Sequence, residues 1–334
     1  MTPAIFGIAG PALSPDERAF FADADPAGYI LFKRNCVTRA QMRALTDSLR
    51  DLHGRDDLFV MIDQEGGRVV RMQPPEWPAF PAGAAFDALY ERAPISAIEA
   101  ARANAHAIAL ALVEVGVTVD ALPLLDVRQA GANDVIGDRA YGHEPLRVAA
   151  MGRAVLDGLR EGGVTGIVKH MPGHGRVLVD SHKALPVVAA GEAELETDLQ
   201  PFRALASAPA GMTAHIVYEA WDAARPGTLS AYVVQKIIRE AIGFDGLLMT
   251  DDIDMKALSG TPAEKACGAL EAGVDLVLDC WARMNEMLAI ADALPAAAER
   301  TQERLAAALA WRRKPEVDRL SELLAKRDEL LKLA

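Results

Sequence analysis

Short apolar runs recur along the chain at intervals long enough to hold a helix, and each stops at glycine or at charged residues. Ala4 to Ala9 ends at Gly10-Pro11, Tyr29 to Phe32 ends at Lys33-Arg34, and Leu58 to Ile62 ends at Asp63-Gln64-Glu65-Gly66-Gly67-Arg68. A fourth run opens at Val117–Val119, stays apolar to Leu125, and leads to Asp126 and a Gly-Ala-Asn-rich loop carrying Arg139. The set is completed by Gly166 to Lys169, by Met212 to Val217 with His215 near its end, by Gly246 to Met249 before Thr250-Asp251-Asp252, and by Val274 to Leu278 before Asp279. Runs this short, bounded by turn residues, predict buried strands.

The segments between them carry helix-start signals. Ser14-Pro15-Asp16-Glu17 offers a capping serine, proline at the first helical position and a capping-box glutamate, and Thr261-Pro262-Ala263-Glu264 repeats the pattern. Thr38 with Gln41 opens a helix to about His53, Ser96 with Glu99 one to about Val115, and Glu144 to Leu159 a further one. An insertion with Pro74, Pro75, Pro78 and Pro81 surrounds Trp77, and the chain ends in an amphipathic helix over Val317 to Leu331. Eight strands alternating with helices predict a (β/α)8 TIM-type barrel, because parallel strands need helical crossovers that cover them. The competing fold is a doubly wound open sheet, but the Gly-x-Gly-x-x-Gly turn that holds a dinucleotide is absent after the first strand. Residues 1–334 are expected to form one catalytic domain, with helices from about 295 onward packed on the barrel. Lys33, Asp63, Asp126, Lys169, Asp251 and Asp279 each stand where a run stops, which is the mouth where barrel active sites are built.

Composition narrows the function. With 51% hydrophobic residues over 334 positions the chain can bury a large core, and a net charge of −12 argues against nucleic acid as partner. Cys36, Cys267 and Cys280 lack the spacing of a disulfide framework or zinc knuckle. The first residues lack the basic and apolar regions of a secretory signal, and no segment is long enough to span a bilayer. A cytoplasmic enzyme with no membrane association, no cofactor and no obligate protein partner is the expectation.

The densest chemistry lies in Lys169-His170-Met171-Pro172-Gly173-His174-Gly175 through Asp180-Ser181-His182. Its proline and glycines break regular structure, so the groups after His170 are expected on a loop outside the core. Asp180 and His182 suit an orienting carboxylate and a proton-carrying imidazole, or a plain surface hydrogen bond. Three histidines near an aspartate also permit a metal site, but Pro172 and Gly173 forbid the helix that His-x3-His ligation uses, so no metal is assigned. Lys169 suits a charged donor better than a Schiff base. Asp251, without a basic neighbour in sequence, suits a catalytic carboxylate, while Asp252 suits the cap of the following turn. Asp63, Arg71 and Arg139 suit fork-like bonds to a sugar or acyl oxygens, or surface salt bridges.

Taken in order, Ile62-Asp63-Gln64-Glu65-Gly66-Gly67-Arg68-Val69, Val135-Ile136-Gly137-Asp138-Arg139, the Lys169 to His182 stretch, His215-Ile216-Val217-Tyr218 and Thr250-Asp251-Asp252 resemble the family 3 glycoside hydrolases, specifically the single-domain bacterial β-N-acetylglucosaminidases of the NagZ type. The similarity runs from the first strand to about Asp279. It implies Asp251 as nucleophile, His182 as a histidine acid/base, Asp180 as its partner, and Asp63, Arg71, Arg139, Lys169 and His170 as the sugar-binding set. Met171 stands where the family commonly has phenylalanine. The implied reaction is retaining hydrolysis of terminal β-linked N-acetylglucosamine through a glycosyl-aspartate. The implied substrates are small amino-sugar molecules, the muropeptide fragments N-acetylglucosaminyl-1,6-anhydro-N-acetylmuramic acid with or without peptide, recycled from the cell wall. A phosphorylase using the same intermediate is the alternative, separated by turnover with and without phosphate. A non-catalytic sugar-binding barrel ranks below both.

Overall fold

A computed structural model describes residues 1–179 and 185–334. Eight strands close into an all-parallel barrel in which neighbours in sequence are neighbours in space: β1 (Thr2–Gly7), β2 (Pro26–Leu31), β3 (Phe59–Ile62), β4 (Val119–Asp120), β5 (Thr165–Met171), β6 (Ala210–Thr213), β7 (Leu247–Asp252) and β8 (Leu276–Asp279), which pairs back with β1. The (β/α)8 class expected from the runs is the class observed.

Two apolar shells hold it. Ile5, Ile30, Met61, Val119, Ile167, Met212, Met249 and Leu278 pack together in the barrel interior, while the opposite faces of the strands meet the surrounding helices. The interior is stoppered at the end opposite Asp251 by the helix Glu299–Ala310, whose Leu305, Ala308 and Leu309 join the inner cluster. Thr165 Oγ1, at the start of β5, donates to Ala308 O at 2.7 Å. Burying each of those leucines contributes roughly 1.5–3 kcal/mol. The far mouth is left as the end where a ligand can enter.

Side-chain caps set three of the helix starts among the described residues. Ser14 and Glu17 exchange both capping-box bonds at Pro15–Ala24, and Thr261 and Glu264 do the same at Pro262–Ala272. Thr38 caps Arg39–His53, but the Gln41 side chain accepts from Val37 N instead of Thr38 N. Ser96 is not a cap. The helix Pro94–Glu114 already starts two residues earlier, with Pro94 in its first turn and Ala93 ending the preceding helix Gly83–Arg92 through its N–H to Leu89 O. Proline supplied the start there because its fixed φ suits a first turn.

Strand ends shift by a few residues in several places, and two of the differences change the topology near the mouth. β4 is two residues long, and Leu124 rejoins the sheet as an isolated bridge to Lys169 beyond Pro123. β6 stops at Thr213, so His215 lies past the strand, and Val217–Tyr218 instead pairs with Val187–Val188 in a separate two-stranded sheet. No helix among the described residues is long and apolar enough to cross a membrane.

Candidate active site

Asp63, Arg71, Arg139, Lys169, His170 and Asp251, from the ends of β3, β5 and β7 and from two loops, line one cavity of about 530 Å³ at the mouth. A second cavity of about 350 Å³ adjoins it, shares Asp63, Arg71, Met212 and Asp251, and continues over Phe32, Met255, Cys280 and Trp281. Asp180 and His182 lie outside the described residues. Lys33 is exposed and borders neither cavity; its neighbour Arg34 lines the second one, held by bonds from Nε to Ile8 O at 2.8 Å and from Nη2 to Cys280 O at 2.5 Å.

The cationic wall is built as a chain of buried and half-buried ion pairs. Lys169 Nζ, on a side chain only 2% exposed, lies 2.6 Å from Glu65 Oε1 and 3.2 Å from Asp63 Oδ1. Arg71 Nη2 closes on Asp63 Oδ2 at 2.8 Å, and the fork of Arg139 grips both oxygens of Glu65 at 2.8 Å. Burial alone would raise both carboxylates. Lys169 and Arg71 overcome it at Asp63, which is held well below the usual range, and Arg139 with Lys169 brings Glu65 down to about 2. Lys169 is correspondingly raised against its own burial. These are interior ion pairs and not surface salt bridges, and the Arg139 fork expected to face a sugar is committed to Glu65.

Glu65 was not singled out in the sequence because it sits two residues past the strand-end aspartate, yet it anchors two of the three cations. Its carboxylate contributes stability that is fully present above the ordinary glutamate pKa of about 4.3 and is lost as pH falls toward about 2. Glu65→Gln is therefore expected to lower stability by about 3 kcal/mol at neutral pH, since it leaves buried cations short of a counter-ion. The gap between wild type and variant in urea midpoints should shrink as pH is lowered from 5 to 3; a constant gap would refute the electrostatic account.

A second hub lies behind His170. Asp126 Oδ2 meets His170 Nδ1 at 2.8 Å, and Oδ1 accepts the amides of His170 and His174 at 3.2 and 2.7 Å. Burial would raise Asp126, but the His170 ring and these bonds bring it to about 2. An ionised carboxylate only accepts, so His170 Nδ1 carries the proton. Lys169, His170 and His174 are thus buried, and for His174 this is contrary to the expectation that the groups after His170 lie outside the core. Its backbone passes so close to the neighbouring loop that a Cβ on Gly175 would sit 1.9 Å from Val127 O.

Asp251 occupies the penultimate position of β7 and faces both cavities. Burial raises its carboxyl, but the His170 and His215 rings, the Asp252 amide at 2.8 Å from Oδ1, and Lys169 together leave it below the ordinary value. The cavity lining matches four cations, Arg68, Arg71, Arg139 and Lys169, with four carboxylates, Asp63, Glu65, Asp134 and Asp251. His215 steadies this strand end. Its Nε2 lies 3.0 Å from Asp252 O, a carbonyl that can only accept, so Nε2 holds a proton, and Nδ1 lies 2.7 Å from Thr228 Oγ1. Burial pushes the His215 pKa down. Asp252 Oδ1 accepts the Asp254 amide at 3.1 Å, the turn-capping role expected of it.

The chain matches the Glycosyl hydrolase family 3 N terminal domain over residues 8–310. It belongs to glycoside hydrolase family 3. Curated relatives named β-hexosaminidase include those of Alkalilimnicola ehrlichii, 38% identical over 83% of this chain and 80% of the relative, and Methylococcus capsulatus, 39% identical over 83% of this chain and 82% of the relative. Among solved structures, NagZ from Neisseria gonorrhoeae in complex with N-trifluoroacetyl-D-glucosamine superposes with a TM-score of 0.89 at 29% identity, covering 100% of this chain and 98% of that one. A family 3 β-N-acetylglucosaminidase from Paenibacillus sp. str. FPU-7 gives 0.82 at 33% identity, covering 98% of this chain and 61% of that one. The barrel is thus a family 3 glycoside hydrolase of the NagZ-type β-N-acetylglucosaminidases.

Proposed function

We propose that residues 1–334 form one catalytic domain, a cytoplasmic retaining exo-β-N-acetylglucosaminidase that releases N-acetylglucosamine from muropeptide fragments, N-acetylglucosaminyl-1,6-anhydro-N-acetylmuramic acid with or without peptide. Asp251 attacks C1 and forms a covalent glycosyl ester, His182 protonates the departing oxygen and then activates water, and Asp180 orients that imidazole. Asp63, Arg71, Arg139, Lys169 and His170 bind the sugar. The observation that carries the reading is the setting of Asp251, ionised below its ordinary range at a strand end and facing a cavity with Lys169 and Asp63. A low pKa makes this carboxylate both an available nucleophile and a good leaving group when water cleaves the ester. The lysine and aspartate offer a donor and an acceptor to sugar hydroxyls, with Arg71 holding Asp63 in place and Arg139 holding Glu65 beside Lys169. The acylated glucosamine bound by the gonococcal relative supports the choice of amino sugar.

A slow fluorinated glucosaminide should trap the intermediate. Peptide mapping by mass spectrometry is expected to place the label on Asp251, with NMR showing the β-anomer as first product. A label elsewhere, or the α-anomer first, would overturn the assignment.

A further inference from the structure

The second cavity at the mouth differs in chemistry from the first. Beyond the shared Asp63, Arg71 and Asp251 its wall is mainly Phe32, Met255, Leu278, Cys280 and Trp281, with few groups that could pair with hydroxyls. Trp281 is 55% exposed, an unusual position for an indole with an apolar core available to it. Its orientation is fixed. Indole Nε1 donates to Asp252 Oδ2 at 3.1 Å, the Arg283 guanidinium lies 5.6 Å from the ring centroid, and the next residue, Ala282, holds φ at 57°, a left-handed turn that a non-glycine residue adopts at a cost of about 1–2 kcal/mol. A ring tethered to the residue after Asp251, at a strained turn and on a cavity rim, is placed for contact with a ligand.

We infer that Trp281 is the platform for the leaving group and selects glucosaminides whose aglycone presents a ring face. This rests on the proposed function and deepens it. Both cavities meet at Asp251, so the anomeric carbon must lie at their junction. If the hydroxyl-bearing ring fills the cavity lined by Lys169 and Asp63, the group beyond C1 extends over the apolar one. At about 350 Å³ that space is far larger than an acyl substituent needs and matches a second ring. The apolar C–H face of a sugar ring or the face of an aryl group packs on an indole in the same way.

The test compares two substrates on the full chain, 4-methylumbelliferyl N-acetyl-β-glucosaminide and N-acetyl-β-glucosaminyl azide, whose leaving group has no ring. Trp281→Ala should lower kcat/KM about five-fold for the first and leave the second within error, a factor in the range of an aromatic contact. Trp281→Phe should recover most of the loss, because it restores a ring without the indole N–H, and it guards against a variant that fails to fold. Equal losses on both substrates, or none on either, would overturn the inference while leaving the hydrolase intact. A wild-type chain inert on both would instead sink the proposed function, and this inference with it.

Discussion

Asp251→Ala is expected to abolish turnover, with kcat down by on the order of 10⁴–10⁶-fold, the scale of losses when a nucleophile is removed from a covalent mechanism. The loss should be chemically rescuable. Azide or formate entering the space left by the carboxylate can attack C1 from the same face, and azide would then leave a stable α-glycosyl azide, inverted relative to the substrate. Asp251→Asn is the sharper control because it keeps an oxygen for the Asp252 amide, which now meets Oδ1 at 2.8 Å, while removing the charge. If position alone mattered the amide variant would stay active; if the anion attacks carbon both variants are dead. Residual activity above about 1% in either variant, with the same anomeric outcome as wild type, would remove Asp251 from the reaction.

The sequence made the barrel legible because each strand is a short apolar run and each mouth residue stands at its charged end. Asp63, Lys169 and Asp251 could be placed at the C-terminal ends of their strands from that rule alone. What it hid was the layer behind them. Glu65 follows Asp63 by two positions and looks like one more polar loop residue, and only the fold brings it within 2.6 Å of Lys169, more than a hundred positions away. Asp126 was legible as a strand-end residue, but its work on His170 and the His174 amide depends on Leu124 pairing with Lys169 across β5. The extent of β6 was misread because Ile216-Val217-Tyr218 is as apolar as a barrel strand, and pattern does not tell one sheet from another. The stopper helix Glu299–Ala310 is amphipathic like any outer helix, so nothing local reveals that its leucines enter the barrel end. Asp279 shows the opposite failure. It ends a strand as expected but borders neither cavity; burial, then Asp252, Glu286 and Asp254, raise it to about 7.

His182→Ala should split substrates by leaving group. With a poor leaving group such as a second sugar, loss of the acid should cost about 10³-fold in kcat/KM, whereas a 2,4-dinitrophenyl glucosaminide, which departs without protonation, should lose less than about ten-fold. Asp180→Ala should follow the same pattern more mildly if that carboxylate orients the imidazole. The described residues narrow what else could supply the proton. His174 is brought to about 4 by burial and by the His170 ring, so it is neutral and a poor donor at working pH. Asp252 is the stronger rival, because it lines the second cavity and burial, with the neighbouring Asp251 and Asp254 charges, raises it to about 6. An Asp252 acid works only while protonated, so its activity is complete below pH 6 and is lost as pH rises through that value. The pH profile of kcat/KM with a poor leaving group therefore separates the two. If His182 is the acid, its removal flattens the basic limb and Asp252→Asn leaves that limb in place. If instead His182→Ala slows both classes of substrate equally and a limb near pH 6 survives until Asp252 is changed, the proton comes from the carboxyl beside the nucleophile and the histidine serves only to shape the mouth.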